Sequence, residues 1–306
     1  MKTTTGRVWR FGLLFLITTS AVAGYQSPVL PDPFSWTTLD VPGAIGTSVL
    51  GINPRGEIVG QYQSPDGLYH GFLLSGGVFT TIDFPGADNS VDNWPIDINP
   101  AGAIVGKYHL DGEGTVCHGY LMDKGIFSTI DPPGCIWTEA AAISPRGEIV
   151  GAYVDADVRW HGYYFYKGVF TTIDFPGAAL GVNLGSYVFG INSVGEMVGG
   201  YDGIDGIGHA FLLRKGTFIV FEIPGAAWTY PFGINPAGQI VGSYGKADSP
   251  AVWHGFLYSD GVFTTVDPPG SLFTMTDTIT PAGDIVGTYY DSNGASHGFL
   301  LKIGKH

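Results

Sequence analysis

Positive charge is scarce in this chain. Lysine and arginine together number 14 against 27 aspartates and glutamates, a formal net charge of −13 at pH 7. Such a surface repels phosphate backbones, so nucleic acid is not an expected partner. Cysteine is almost absent, and two residues are too few to hold a metal by themselves. Long amphipathic helical stretches are missing. No segment reaches the roughly 18 apolar residues of a membrane helix, so no membrane span is expected. Enzyme signatures are lacking as well: there is no Gly-x-Ser-x-Gly, no His-Glu-x-x-His, no phosphate loop and no EF-hand loop.

What is abundant is glycine (48), phenylalanine (19) and tyrosine (16), the composition of a β-rich, turn-rich fold. The opening residues read as a secretory signal peptide over 1–23. Lys2, Arg7 and Arg10 precede the apolar run Phe11 to Ile17, and Ala21-Val22-Ala23 is a small-x-small cleavage site. No cysteine follows it to carry a lipid anchor. Cleavage leaves 11 basic against 27 acidic residues, or −16, on a chain expected to be secreted or periplasmic. Residues 24–33 read as a linker, and 34–303 as one domain.

Self-similarity dominates that domain. Phe79-Thr80-Thr81-Ile82-Asp83 recurs as Phe127-Ser128-Thr129-Ile130-Asp131, Phe170-Thr171-Thr172-Ile173-Asp174 and Phe263-Thr264-Thr265-Val266-Asp267. Phe218 to Glu222 is a looser copy, and Phe34 to Asp40 an early one with an extra residue. Each copy is followed by Pro-Gly, a variable stretch, an Asn-Pro-x-Gly-like turn and a His-Gly-Phe variant. The first complete unit divides into strands at Val49–Asn53, Glu57–Tyr62, His70–Leu74 and Val78–Asp83, joined by tight turns. Four short antiparallel strands in about 45 residues match a propeller blade. The chain opens on an orphan fourth strand and closes on an orphan third strand. A ring explains both. The expected fold is therefore an all-β, six-bladed β-propeller of four-stranded blades, its N-terminal strand closing the last blade.

The His-Gly-Phe-Leu-Leu segments and His209-Ala210-Phe211-Leu212-Leu213, each after an Ile-Val-Gly-x-Tyr-like strand, resemble the extracellular HAF-repeat family, named for its His-Ala-Phe tripeptide. The resemblance runs from about Phe34 to Leu301. One unit carries the literal tripeptide, three carry His-Gly-Phe and two carry His-Gly-Tyr. The resemblance implies an exported bacterial protein and no particular reaction.

Register assigns the repeated polar residues to the scaffold. With Gly76-Gly77 as the turn, His70 faces Asp83 across the strand pair. The same offset sets His118 against Asp131, His161 against Asp174, His209 against Glu222, His254 against Asp267 and, through the closing strand, His297 against Asp40. A histidine facing a carboxylate in every unit reads as a structural hydrogen bond rather than a catalytic site. Register also places Cys117 opposite Pro132, three residues before Cys135. In an exported chain this favours a disulfide closing the hairpin over free thiols.

Function is then sought where the units differ: the connections from fourth to first strands and from second to third strands, which share one face. That face carries Trp94, Trp137, Trp160, Trp228, Tyr230, Trp253 and Phe273, candidates for stacking on a sugar ring or another flat ligand. It also carries Asp88, Asp92, Asp111, Glu113, Glu139, Asp155, Asp157 and Asp277, a set compatible with Ca²⁺ or a polar ligand, although no cofactor is demanded. The reading favoured is a module binding an extracellular glycan or protein on the loop face. The alternative is a hydrolase or lyase at the channel mouth, with Glu139 and Asp277 as its catalytic candidates. Enzyme activity is left open, with no motif declaring it.

Overall fold

The computed structural model describes residues 18–19, 34–91, 93–112, 114 and 116–303. Six four-stranded antiparallel units stand in it, each hydrogen-bonded in the order first, second, third, fourth strand. Blade 1 comprises Gly46–Ile52, Ile58–Gln63, Tyr69–Ser75 and Val78–Thr81. Blade 2 comprises Trp94–Ile98, Ile104–His109, Cys117–Asp123 and Ile126–Thr129, and blade 3 Trp137–Ile143, Ile149–Val154, Trp160–Tyr166 and Val169–Ile173. Blade 4 comprises Ser186–Ile191, Met197–Asp202, Gly208–Arg214 and Thr217–Phe221. Blade 5 comprises Ala226–Ile234, Ile240–Lys246, Ser249–Ser259 and Val262–Thr265. Blade 6 takes Phe273–Ile279, Ile285–Tyr290 and Ser296–Ile303, and is completed by Phe34–Leu39 from the other end of the chain. The fold is a six-bladed β-propeller. The signal-peptide and linker readings fall outside the described residues, apart from Thr18–Thr19, which pair in parallel with Ile219 and Val220 on the outer edge of blade 4.

The repeat words now have physical meanings. Each first strand carries a β-bulge: the ladder skips Leu50, Ile96, Ala141, Phe189, Phe232 and Asp277 in blades 1 to 6. Opposite it lies the glycine of Ile-Val-Gly. A Cβ at Gly60, Gly106, Gly151, Gly199, Gly242 or Gly287 would stand between 1.9 and 2.1 Å from a carbonyl oxygen of the first strand. No other residue fits there, and the bulge turns its extra side chain toward the propeller axis. The aromatic of His-x-Phe/Tyr is fully buried (Phe72, Tyr120, Tyr163, Phe211, Phe256, Phe299). It meets the fourth-strand phenylalanine, or Trp36 in blade 6, at 5.0 to 5.7 Å between ring centroids.

The six histidine–carboxylate pairs form as register implies. Nδ1 donates to Asp83, Asp131, Asp174, Asp267 and Asp40 at 2.7 to 2.9 Å from His70, His118, His161, His254 and His297, and His209 donates to Glu222. In blade 1 the second carboxylate oxygen accepts the Gly71 amide at 3.0 Å, which ends the fourth strand at Thr81, earlier than the sequence suggests. Each imidazole also lies against the tyrosine opposite it in the second strand, from Tyr62–His70 to Tyr289–His297, at 5.0 to 5.4 Å. Sequence reasoning had not anticipated that contact. In five blades the same tyrosine shares a hydrogen bond with a fourth-strand threonine; Val220 stands at that place in blade 4.

The Asn-Pro-x-Gly turns do more than reverse the chain. Asn53 Oδ1 accepts the amides of Arg55 and Glu57, while its Nδ2 donates across the blade boundary to the Asn99 carbonyl at 3.1 Å. Asn99 reaches Ser144, Asn192 reaches Asn235 and Asn235 reaches Thr280 in the same way. Ser144 and Thr280 have no amide to pass on, so the belt is interrupted after blades 3 and 6.

The expected disulfide does not form. Pro132 begins a turn closed by the Cys135 amide, which donates to the Pro132 carbonyl and carries Cys135 toward blade 3, where Thr138 Oγ1 donates to its sulfur at 3.0 Å. Cys117 stays in the ladder of blade 2, opposite His109. The hairpin register was right, but the chain leaves it before the thiols can meet.

In blades 3 and 4 a second carboxylate reaches Nε2: Asp155 at 3.2 Å from His161 and Asp205 at 3.1 Å from His209. Burial alone would lower both pKa values. The paired carboxylates outweigh it and raise them above the ordinary histidine value. A histidine pKa raised on folding contributes stability in full below the unfolded value of about 6.5, and loses it as pH climbs through the folded one. His161→Ala should therefore lower stability by about 1–2 kcal/mol at pH 6, allowing for solvent screening, and by less at pH 9. Thermal unfolding followed by circular dichroism checks this; an equal loss at both pH values contradicts it.

Candidate functional site

The two sets of connections share one end of the molecule. The amides of Ile45, Asp88, Ile136, Ala179 and Leu272, at the entry to first strands, donate to the carbonyls of Gln63, His109, Val154, Asp202 and Tyr290 at the ends of second strands. The tight turns occupy the opposite end.

First strands line the axis. Between the two ends lies a cavity of about 430 Å³. Its wall is layered by strand position. Ile52, Ile98, Ile143, Ile191, Ile234 and Ile279 form the last strand layer before the tight turns, one from each blade, and turn residues such as Pro54 and Pro100 close the wall beyond them. The bulged residues form the middle layer, where five blades supply Leu50, Ile96, Ala141, Phe189 and Phe232 and blade 6 supplies Asp277. Toward the loop face the wall reaches Ser48, Gln61, Trp94, Glu139, Trp253, Met275 and Tyr290.

Around this mouth runs a crescent of half-buried aromatic rings. Lys107 Nζ sits 4.2 Å from the ring centroid of Trp94 and 5.4 Å from that of Trp137, bridging them by cation–π attraction. Its ammonium is also 3.8 Å from Glu139 Oε2. Trp137 meets Trp160 at 4.8 Å, and Trp160 meets Tyr187 at 5.2 Å. Tyr187 and Phe189 lie parallel at 5.8 Å, and Phe189 meets Tyr230 edge-on. From Tyr230 the contacts continue through Trp228, Trp253 and Phe273 to Tyr290, at 5.6, 4.6, 5.1 and 5.4 Å. Asp202 Oδ2 accepts the Tyr187 hydroxyl at 2.8 Å and the Gly185 amide at 2.9 Å, fixing a polar edge within the crescent. Burial, then that hydrogen bond and the negative charge, hold the Tyr187 hydroxyl protonated far above its ordinary range.

All seven aromatic candidates, Trp94, Trp137, Trp160, Trp228, Tyr230, Trp253 and Phe273, are brought into this one crescent. They are strand residues and not loop residues, however: Trp94, Trp137 and Trp160 each open a strand, and Trp228, Tyr230 and Trp253 lie inside the long strands of blade 5. Glu139 and Asp277 likewise sit within first strands rather than before them. Lys107, Tyr187, Phe189 and Asp202 were missed. Their side chains are set by pairing across the strand and by the bulge, and no motif marks them.

The loop acids do not converge. Asp88 and Asp155 accept backbone amides of their own turns, and Asp157 is exposed. Asp92 and Glu113 lie outside the described residues. Among the described residues no three His, Cys, Asp or Glu side chains gather as a metal site would require.

Two channel carboxylates differ sharply. Asp97 accepts the amides of Ile98 at 2.8 Å and of Ile143, across the blade boundary, at 2.9 Å. Burial pushes its pKa up to about 6 against the pull of those amides. Asp277 has no such support: Oδ2 is sealed from solvent without a hydrogen-bond partner, and burial raises its pKa well above the usual carboxylate range. A carboxyl raised on folding weakens the fold as pH rises from the unfolded value of about 3.9 through the folded one. Asp277→Leu, which copies Leu50 of blade 1, should raise stability by about 1–3 kcal/mol at pH 8 and by little at pH 4. Denaturant melts at the two pH values test this, and a destabilised variant at pH 8 would contradict it.

No family model matches the chain, and no curated protein does. Solved structures do. A lectin of Aleuria aurantia, an Asn-to-Gln variant in complex with Fucα1-6GlcNAc, aligns with TM-score 0.51 and 12% identity over 85% of this chain and 95% of its own. A triple Arg-to-Ala variant of AofleA from Arthrobotrys oligospora aligns with TM-score 0.56 and 14% identity over 89% and 87%. A protein of unknown function from Dyadobacter fermentans aligns with TM-score 0.54 and 12% identity over 88% and 98%. At such identities the similarity is one of fold, and the fold it shows is the β-propeller.

Proposed function

We propose that this protein is a carbohydrate-binding module that receives a glycan on the aromatic crescent at the loop-face mouth of its channel. The observation that carries this reading is the continuous run of rings from half-buried Trp94 to exposed Tyr290, flanked by charged and hydroxyl groups. Sugar rings present apolar C–H faces beside hydroxyls that need partners. Flat aromatics accept the faces, and Lys107, Glu139, Asp202 and Tyr187 offer donors and acceptors at the same height. The glycan complex of the Aleuria aurantia lectin shows that a propeller of this general form can host a sugar ligand. The HAF-repeat resemblance and the leader-like first 23 residues support placing the module outside the bacterial cytoplasm, where glycans are displayed.

Isothermal titration with Fucα1-6GlcNAc, together with a screen on a broad glycan array, tests the proposal. Saturable binding to at least one glycan is expected, in EDTA as in calcium. Trp137→Ala and Trp228→Ala should each weaken it about tenfold, or roughly 1.4 kcal/mol, with the melting temperature recorded to confirm folding. Absence of binding across the array, or full affinity in both variants, would overturn the proposal. Cleaved sugar in the mixture would instead point to hydrolase or lyase chemistry, with Glu139 and Asp277 as the first residues to substitute.

A further inference from the structure

The repeat delivers apolar side chains to the axis at three successive levels. Pro54, Pro100, Pro145, Pro236 and Pro281 of the tight turns stand at the far end of the cavity, the six isoleucines come next, and the bulged residues lie above them. From Leu50 to Pro54 these levels span about 13 Å of chain at the rise of an extended strand. The bulge level is uneven. Phe189 and Phe232 of blades 4 and 5, packed edge-to-face at 5.4 Å, fill one side, whereas blade 3 supplies Ala141, the smallest of the six bulged side chains. The cavity is thus narrowed by two rings and left open beside Ala141, with a volume within the range of small-molecule sites.

The polar side chains that reach these levels are committed elsewhere. Asn99, Asn192 and Asn235 accept amides of their own turns and donate into the next blade. Asp97 accepts two amides, and Thr278 Oγ1 donates to the Leu50 carbonyl at 2.8 Å. Burial holds Asp277 protonated well beyond the usual carboxylate range, and its Oδ2 is sealed from the cavity. A buried water needs about two to four polar partners, and these side chains leave it few.

We infer that the channel is a second binding site, taking the hydrocarbon chain of an amphiphile end-on and leaving its polar head at the loop-face mouth, near Ser48. Water alone leaves three apolar levels wetted. A cation finds Asp277 protonated and Asp97 already bound, and a sugar finds few partners for its hydroxyls below the mouth. A compact hydrocarbon reaches one level. An alkyl chain reaches all three, passing Phe189 and Phe232 on the side of Ala141 to lie among the isoleucines. This site lies below the crescent and does not rest on the carbohydrate reading, whose tests act at Trp137 and Trp228, outside the cavity lining.

The probes are straight-chain alkan-1-ols from butan-1-ol to decan-1-ol, with adamantan-1-ol as a compact alcohol. Titration calorimetry should show saturable binding that tightens about fourfold, or roughly 0.8 kcal/mol, for each added methylene until the chain fills the channel. Octan-1-ol should bind more tightly than adamantan-1-ol by a factor of about ten or more. Ala141→Phe, which copies Phe189 at the same place in blade 4, should weaken octan-1-ol by a similar factor, with the melting temperature recorded to confirm folding. Ala141→Leu, which copies Leu50, should weaken it by a smaller factor. Absence of saturable binding, affinity indifferent to chain length, adamantan-1-ol bound as tightly as octan-1-ol, or full affinity in folded Ala141→Phe would each overturn the inference. Glycan binding without alcohol binding would overturn this site alone, and the reverse would overturn the carbohydrate reading alone.

Discussion

Every blade depends on one close approach: the carbonyl of the first strand lies over the glycine of the second, where a Cβ would be about 2 Å from oxygen. That contact makes room for the bulge. The bulge removes one residue from the ladder and directs it to the axis, so six repeats deliver six side chains to a common channel. Glycine at Gly60, Gly106, Gly151, Gly199, Gly242 and Gly287 is therefore a condition for having a channel wall, more than a relaxation of the chain.

A ring of such blades must also be held shut. Two repeated devices join neighbouring blades, and a third braces each blade internally. At the turn end, buried asparagines hydrogen-bond into the next blade. Between blades, valines of the second strands and the His-x-Phe/Tyr aromatics form the buried core. At the loop end, the tyrosine–histidine–carboxylate contact anchors the start of each third strand. The closing strand supplies Asp40 to His297 and Trp36 to Phe299, so the last blade repeats the contacts of the other five with groups from opposite ends of the chain. With the scaffold's polar demands met by the repeated positions, within a blade or across to the next, the positions that differ between units were free to diverge. These are the mouth and middle layers of the channel.

Much of this was legible in the sequence because repetition removes ambiguity. A single His-Gly-Phe says little. Six of them at a fixed offset from an acid define a register, and the register yielded the pairs His70–Asp83 to His297–Asp40 and the closing strand. Variability between units then led to tryptophans that the fold gathers around the mouth of the channel. Three things stayed hidden. The bulge breaks the two-residue alternation, so Phe189 could not be assigned to the channel from strand parity, and Asp277, expected at the channel mouth, lies at the bulge in the middle layer. Lys107 falls at a position held by Gln61, Ala152, Gly200, Ser243 and Thr288 in other blades, and only its packing between Trp94 and Trp137 reveals its part. Cys117 and Cys135 are close along the chain, and the turn at Pro132 that separates them has no signature distinct from the other Pro-Gly segments.

The central claim is that the glycine-for-bulge exchange creates the channel, and one substitution reaches it directly. A methyl group at Gly151 would lie 2.0 Å from the Glu139 carbonyl oxygen and 2.8 Å from the Tyr163 ring, both fixed within blade 3. Thermal unfolding of Gly151→Ala should show a loss of about 3 kcal/mol or more, or no cooperative folding at all. A melting temperature within a degree of the parent would show that the first strand does not lie where the bulge requires, and the channel would have no basis.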